Sequence, residues 1–324
     1  MGRYLIRRTL FMILVLFIVS LFTFIIFMKL PAGDPARRLA GSRATTPQEL
    51  ETIRHNIGLD EPLLVQYGRF AKGLIPWPGL FLNKQVYFSW ANNVPVSEEI
   101  YSRLPYTITL SLGAAAVFLL VGIPIGIVSA IKRRSFVDRA GMVFALIGVS
   151  APVFWLAYLM LYFFWFKLAW LPGIGVPPGE SMVKSIALGR FILPWLALAF
   201  TFAAFYTRMI RGNLLETMSE DYIRTARAKG LSERRVIFKH GLRAALTPVV
   251  TMFGLDVATL LGGAVITETV FNIPGIGQYT LLSIFGGNFP GVMGVTVLAA
   301  FFIVIANLLV DVVYAFLDPR VRYS

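Results

Sequence analysis

The sequence predicts an all-α, polytopic membrane protein with six transmembrane helices. Of its 324 residues, 57% are hydrophobic and only 15% are charged, a balance too apolar for an ordinary soluble domain. The apolar residues also fall into six segments, each close to the roughly 20 residues that a helix needs to cross the hydrocarbon core. The predicted spans are residues 9–28, 106–131, 140–166, 191–209, 249–270 and 292–317.

The distribution of basic residues orients these spans. The net charge is +13, which in a soluble protein would suggest nucleic acid as a partner, but here the basic residues collect on one side of the predicted spans. Because basic residues are enriched in cytoplasmic loops, we expect both termini in the cytoplasm. The cytoplasmic basic residues are Arg3, Arg7 and Arg8, Lys132, Arg133, Arg134 and Arg139, the run between Arg208 and Arg243, and Arg320 and Arg322.

Three regions follow from this topology: a tail and first membrane helix (1–30), an external segment (31–103), and a five-helix core (104–324) with a cytoplasmic loop at 212–248. The first apolar run is longer than the h-region of about 7 to 15 residues found in signal peptides, so we interpret it as a membrane helix. In the external segment, Thr46-Pro47 predicts the start of a helix over 45–57, and 58–70 continues as a second helix. Trp77, Tyr87 and Trp90 fit either an interfacial aromatic belt or contact with a partner protein.

Glycine and proline residues mark the next spans. The segment from Gly122 to Gly126, which contains Pro124, permits close helix approach and a bend, and Pro152 predicts a break in the third span. We interpret these prolines as kinks that serve helix packing. The alternative is that they let the helices flex during transport.

The fifth span combines small and polar residues. Gly254, Ala258 and Gly262 form a stripe suited to tight helix contact, which we expect across a dimer axis. Asp256 lies about 12 Å beyond Pro248 at roughly 1.5 Å per residue, and an ionisable group at this depth is a functional hypothesis by default. Either Asp256 is a satisfied structural carboxylate or it lines a pathway. The other candidates on the same polar side are Thr259, Thr267 and Glu268.

The region after this span is rich in glycine and proline, which predicts a short external or re-entrant turn. We interpret 272–277 as part of an external gate, with a plain loop as the alternative. In the last span Asn307 and Asp311 lie one turn apart, a spacing that favours helix–helix contact over binding of a solute.

The loop from Glu216 to Pro248 is the one long polar and basic stretch in the second half of the chain, and it predicts two short helices. Ser219 is the expected N-cap of the first, and Gly230 its C-terminal stop; Ser232 caps the second. Tyr222, Ile223 and Ala226 fall on one face, which predicts a surface that inserts into a partner's groove.

This loop, DYIRTARAKGL followed by HGLRAALTPVVT, resembles the coupling loop of ABC-transporter permease subunits of the dipeptide/oligopeptide/nickel branch. Gly33-Asp34-Pro35, the segment 150–154, GGAVITETVFNIPGIG and the C-terminal segment are also similar to that branch, so the resemblance covers essentially the whole chain. Of the broader EAA-x3-G pattern, Ala226 and Gly230 match, whereas Arg224 and Thr225 occupy its first two positions. The role of the motif glutamate is therefore not carried over.

The resemblance implies a non-catalytic membrane subunit of an ATP-driven importer of short peptides, or a related small solute, working by alternating access in a bacterial or archaeal cytoplasmic membrane. Its implied partners are a homologous second permease subunit, two ATP-binding subunits that hold ATP and Mg²⁺, an extracytoplasmic substrate-binding protein, and lipid. The residues implied in coupling to the ATPase are Glu220, Asp221, Tyr222, Arg224, Thr225, Ala226, Arg227, Ala228, Gly230 and Leu231.

Several chemistries find no support in the sequence. It has no GxxxxGK[ST] loop to hold ATP, no cysteine, and only two histidines, His55 and His240, so we expect no cofactor or metal on this chain. The basic loop is superficially like a helix-turn-helix, but its flanking spans leave a recognition helix too little freedom, so we expect no nucleic-acid binding. The alternatives to a peptide importer are a stand-alone ion-coupled carrier or channel, and an importer of nickel or another small solute.

Overall fold

The computed structural model describes residues 2–29, 36–37, 46–56, 58–74, 89, 94–173, 175–177 and 180–317. The sequence predictions for Gly33-Asp34-Pro35, 75–88, Trp90 and 318–324 lie outside these residues.

In chain order the helices are α1 (Gly2–Phe24, extended by a π-helical segment, Ile25–Lys29), α2 (Pro47–Asn56), α3 (Leu63–Leu74), α4 (Val96–Ile131), α5 (Phe136–Ser150), α6 (Val153–Lys167), α7 (Met182–Ala187), α8 (Ile192–Thr217), α9 (Asp221–Ala228), α10 (Glu233–Ala245), α11 (Thr247–Leu261), α12 (Val265–Val270), α13 (Ile276–Phe285) and α14 (Phe289–Leu317).

The prediction of an all-α polytopic protein is confirmed. Helices α1, α4, α8 and α14 are each long and apolar enough to cross a membrane. Two bent pairs, α5 with α6 and α10 with α11, raise the number of spans to six if each pair counts as one. The bend of 105° between α5 and α6 falls at Ala151 and Pro152, the break predicted from the sequence, because proline cannot continue the hydrogen bonding of the preceding helix.

The centre of the fold is the packing of α4 against α8. A Cβ atom on Gly122 would lie 2.9 Å from the carbonyl oxygen of Ala203, and one on Gly126 would lie 2.9 Å from that of Thr207. Helix α4 continues through Pro124 without interruption. The two glycines therefore serve close approach of the helices rather than a break in α4.

The fifth span departs from the prediction. Helix α11 ends at Leu261 instead of reaching residue 270, because Gly263 has a φ of +120° and a Cβ there would lie only 2.7 Å from Gly277. The stripe of small residues is also used differently from the expected dimer contact. Gly254 packs against Val310 of α14, and Gly262 against Ala299 of the same helix, within one chain.

Helix α1 is held at two points along its length. Near its N-terminus, Arg8 lies 2.8 Å from Asp311 of α14, in agreement with the predicted helix–helix role of Asp311. Toward its C-terminus, the hydroxyl groups of Ser20 and of Tyr67 in α3 lie 2.8 Å apart. Helix α2 begins as predicted, since Thr46 and Glu49 form a reciprocal capping box.

Candidate coupling site and membrane carboxylates

The candidate coupling helix is α9, a two-turn helix on the loop between α8 and α10. Its N-cap is Glu220 rather than the predicted Ser219. The Ser219 hydroxyl donates instead to the carbonyl oxygen of Glu216 at 2.6 Å, at the end of the preceding helix, so it does not cap α9. The predicted stop is found: Gly230 has a φ of +72°, a conformation that glycine adopts at little cost.

The predicted docking face of α9 is divided between two sides of the helix. Ile223 and Ala226 are buried and pack against Val236 of α10, with Met218 and Leu231 at the edge of this cluster. They hold α9 against its own chain, so Ala226 has no surface free for a partner's groove. Tyr222 stands about 100° around the helix from Ile223, and it is 46% exposed.

The outward surface of α9 is polar and mixed in charge. Leu231, in contrast, is partly buried in the small cluster below the helix. The exposed residues among those predicted for coupling are Glu220, Asp221, Tyr222, Arg224, Thr225, Arg227, Ala228 and Gly230.

An ion pair closes the hairpin formed by α9 and α10. Arg227 donates from Nη2 and Nε to the two carboxylate oxygens of Glu233, at 2.7 Å and 3.1 Å. This pairing raises the pKa of the Arg227 guanidinium above its usual value. Because both side chains are exposed, we assign the pair to positioning rather than to a large stabilisation.

The hairpin packs on the C-terminal end of α8, and a cavity remains between them. Asn213 donates to the carbonyl oxygen of Ala245 at 3.2 Å, and Gly241 lets α10 approach Met218. Beside these contacts lies a cavity of about 280 Å³, whose walls include Arg133, Leu214, Met218, Arg227, Glu233 and Ile237.

A buried carboxylate that the sequence reasoning missed joins three helices next to the hairpin. Asp138 of α5 accepts hydrogen bonds from Nε and Nη2 of Arg211 on α8, at 2.6 Å and 2.9 Å. It also accepts from Ser129 Oγ of α4 at 2.5 Å and from the Arg134 amide at 2.8 Å. In the sequence, Asp138 is the single acidic residue of the basic segment KRRSFVDR, a composition typical of a solvated turn. Its burial depends on the packing of α8 beside this segment, which the sequence does not reveal.

The four residues predicted to line a pathway do not share one surface. Asp256 is partly exposed and Thr259 is exposed, but Thr267 and Glu268 are fully buried. The chain turns at Gly263, before Thr267 and Glu268. These two residues therefore do not continue the polar side of α11.

Glu268 instead caps the N-terminus of α13. Its carboxylate accepts from the Gln278 amide at 2.9 Å and from Thr107 Oγ1 of α4 at 2.9 Å. Thr107 Oγ1 in turn accepts from the Ile276 amide at 2.8 Å. A carboxylate at a helix N-terminus is stabilised by the unpaired amides there, which accounts for its burial. This contact fixes the turn between α12 and α13, the predicted external gate, to α4.

Among the described residues, no three His, Cys, Asp or Glu side chains are grouped as a metal site requires. The geometry defines a polytopic membrane protein with a packed helical core and a two-helix hairpin seated at the end of a long apolar helix.

Comparisons with known proteins agree with this class. The family described as "Binding-protein-dependent transport system inner membrane component" matches residues 122–323, and its N-terminal counterpart matches residues 1–111. The chain is 39% identical over the full length of both proteins to a probable peptide ABC transporter permease protein of Sinorhizobium fredii. It is 38% identical to a dipeptide transport system permease protein of Alkalihalophilus pseudofirmus and 39% identical to a glutathione transport system permease protein of Salmonella paratyphi A, again over the whole of each chain.

A solved structure shows the same fold. The inward-facing methionine ABC transporter MetNI has a chain that matches with a TM-score of 0.53 at 19% identity, covering 69% of this chain and 98% of that one.

The chain belongs to the binding-protein-dependent transport system inner membrane component family. It is a multi-pass permease subunit of an ABC importer in the inner membrane, and it is a non-catalytic component that itself binds no cofactor. An ATP-hydrolysing subunit and a substrate-binding protein are its partners by family. The alternative of a stand-alone carrier or channel is set aside.

Proposed function

We propose that this permease carries short peptides across the cytoplasmic membrane, paired with a homologous but different second permease subunit. The observation that carries the proposal is the similarity, end to end, to permeases named for peptide, dipeptide and glutathione transport. These names support a peptide cargo over nickel.

In this proposal the hairpin within 212–248 docks on the ATP-hydrolysing subunit, and both termini lie in the cytoplasm. The exposed surface of α9 touches the partner, whereas Ile223 and Ala226 transmit its displacement to α10 and α8. Nucleotide that binds one conformation of the ATPase more tightly than the other biases the permease between inward-open and outward-open states. Asp256 and Thr259 line the pathway.

The test is reconstitution of the complex that co-purifies with this tagged chain. We expect mass spectrometry to find a second, homologous permease and ATP-binding subunits, and proteoliposomes to take up a labelled di- to pentapeptide when ATP and the cognate binding protein are supplied. Stimulated ATP hydrolysis with a non-peptide solute, and no uptake of any peptide in the panel, would contradict the peptide assignment.

A further inference from the structure

Asp256 differs from Asp138, Asp311 and Glu268 in what surrounds it. Three of these carboxylates are satisfied within the chain: Asp138 by Arg211, Asp311 by Arg8, and Glu268 by the N-terminus of α13. In the part of the chain that the structure describes, Asp256 receives a single hydrogen bond, from the hydroxyl of Tyr206 to Oδ2 at 2.7 Å, and no cation.

Aromatic packing holds the hydrogen-bond donor of Asp256 in a fixed position. Tyr206 is fully buried, and its ring packs against Phe118 with 5.0 Å between the centroids, so the hydroxyl is held in place. Asp256 lies nine residues into α11, roughly 14 Å from its start at 1.5 Å per residue, and is partly exposed. Thr259, almost one turn further on, is exposed on the same side of α11, and its hydroxyl donates to the carbonyl oxygen of Leu255 at 2.9 Å.

A carboxylate at this depth is strongly destabilised unless a cation or several donors satisfy it, and one phenolic hydroxyl is not enough. The second oxygen, Oδ1, has no donor among the described residues. A permanent cation from the same chain is the arrangement at Asp138 and Asp311, and it is not the arrangement here. Oδ1 is therefore open to a donor from outside this chain.

We propose that Asp256 binds the protonated α-amino group of the transported solute, so that the membrane pathway itself selects peptides with a free amine. This inference rests on the proposed peptide transport. An ammonium group is compact and offers three donors, and Asp256 Oδ1 is a carboxylate oxygen to which no donor of the described residues is bonded. A basic residue fixed on the second permease subunit would satisfy the same carboxylate, and the experiment below distinguishes the two.

The first test uses Thr259→Cys, which adds the single thiol to a chain without cysteine. In the purified complex, the rates of modification by a cationic and an anionic methanethiosulfonate reagent are compared, with and without Asp256→Asn. An available carboxylate one turn away favours the cationic reagent by at least about tenfold, and this preference disappears in the double variant. Equal preference in the two backgrounds means that a fixed cation already neutralises Asp256, and it overturns the proposal.

The same thiol, with Asp256 intact, reports on the ligand. Millimolar Ala-Ala is expected to slow the modification, whereas N-acetyl-Ala-Ala, which lacks the ammonium group, leaves the rate unchanged. Equal protection by both peptides, or by neither, overturns the proposal without requiring any variant of Asp256 to fold.

Uptake supplies the last readout. With one binding protein and one free-amine dipeptide, Asp256→Asn lowers uptake by about tenfold or more, and Asp256→Glu retains most of it, since only the latter keeps the charge. Normal uptake by the Asn variant contradicts the inference and leaves peptide transport standing. A wild-type complex that takes up no peptide contradicts the proposed function instead.

Discussion

One buried carboxylate, Asp138, holds three helices together. Asp138 makes four hydrogen bonds that join α4, α5 and α8, and its side chain is 5% exposed. Helix α8 leads into α9, so this contact lies on the helix that carries the hairpin proposed to dock on the ATPase.

Removing one partner of this buried pair leaves the other charge uncompensated. We expect Asp138→Asn to destabilise the solubilised chain by about 3 to 5 kcal/mol and to lower its thermal midpoint. Combination with Arg211→Met recovers part of the loss, because the orphaned cation is gone. Arg139→Gln, at an exposed neighbouring position, is the control, and an Asp138→Asn midpoint equal to that of the control would contradict this role.

The turn before α13 gives a second prediction about a single residue. A Cβ atom on Gly275 would lie 2.4 Å from the carboxyl carbon of Glu268, so Gly275→Ala forces the cap away from α13. We expect a loss of stability of about 1 to 3 kcal/mol from this crowding. Gly212→Ala is the matched control, since a Cβ there meets no atom within 4 Å. Equal thermal midpoints for the two variants would count against the capping role.

Among the elements, the α9–α10 hairpin is the one that we propose moves as a unit with the ATPase. A small apolar cluster and the Arg227–Glu233 pair join its two helices, and a cavity of about 280 Å³ lies beside it. The effect of a substitution in α9 therefore depends on whether the side chain is buried against α10 or exposed.

Ala226 and Ala228 give a matched pair on this helix, one buried and one exposed. Ala226→Arg drives a charge into the cluster around Ile223 and is expected to expose the hairpin to limited proteolysis and to abolish ATP-driven uptake, with membrane insertion retained. Ala228→Arg is expected to keep the protease resistance of the wild type. Normal uptake by a correctly assembled Ala226→Arg complex would refute this interpretation.

The end of α9 depends on backbone conformation. Gly230 has a φ of +72°, and its amide donates to the carbonyl oxygen of Arg227 at 2.9 Å. Gly230→Pro requires a φ near −65° and removes that donor, so it redirects the chain into α10, and we expect loss of uptake. Gly230→Asn tolerates the left-handed region and is expected to retain most activity. If the proline variant transports as well as the asparagine variant, the turn is not needed for coupling.

For the whole molecule, the sequence predicted what composition and periodicity determine: the helical class, a multi-pass arrangement of up to six spans, the break at Pro152 and the short helices of the loop after α8. It did not predict contacts that depend on which helices become neighbours. Glu268 and Thr267 looked like a continuation of a polar stripe, and only the turn at Gly263 places them in the interior. The packing of Gly254 on Val310 and the pairing of Asp138 with Arg211 are likewise long-range and leave no periodic signal.

We propose that the α9–α10 hairpin is the element by which this permease engages its ATPase in the cytoplasm. The most direct measurement is photocross-linking from single cysteines, since this chain has no cysteine of its own. A maleimide–benzophenone reagent attached to Tyr222→Cys is expected to join it on irradiation to the ATP-hydrolysing subunit, while Ala226→Cys, which is buried, and Glu49→Cys, on α2, are not joined. Labelling of Tyr222→Cys by an impermeant reagent applied outside intact cells, without a cross-link to the ATPase, would contradict the account.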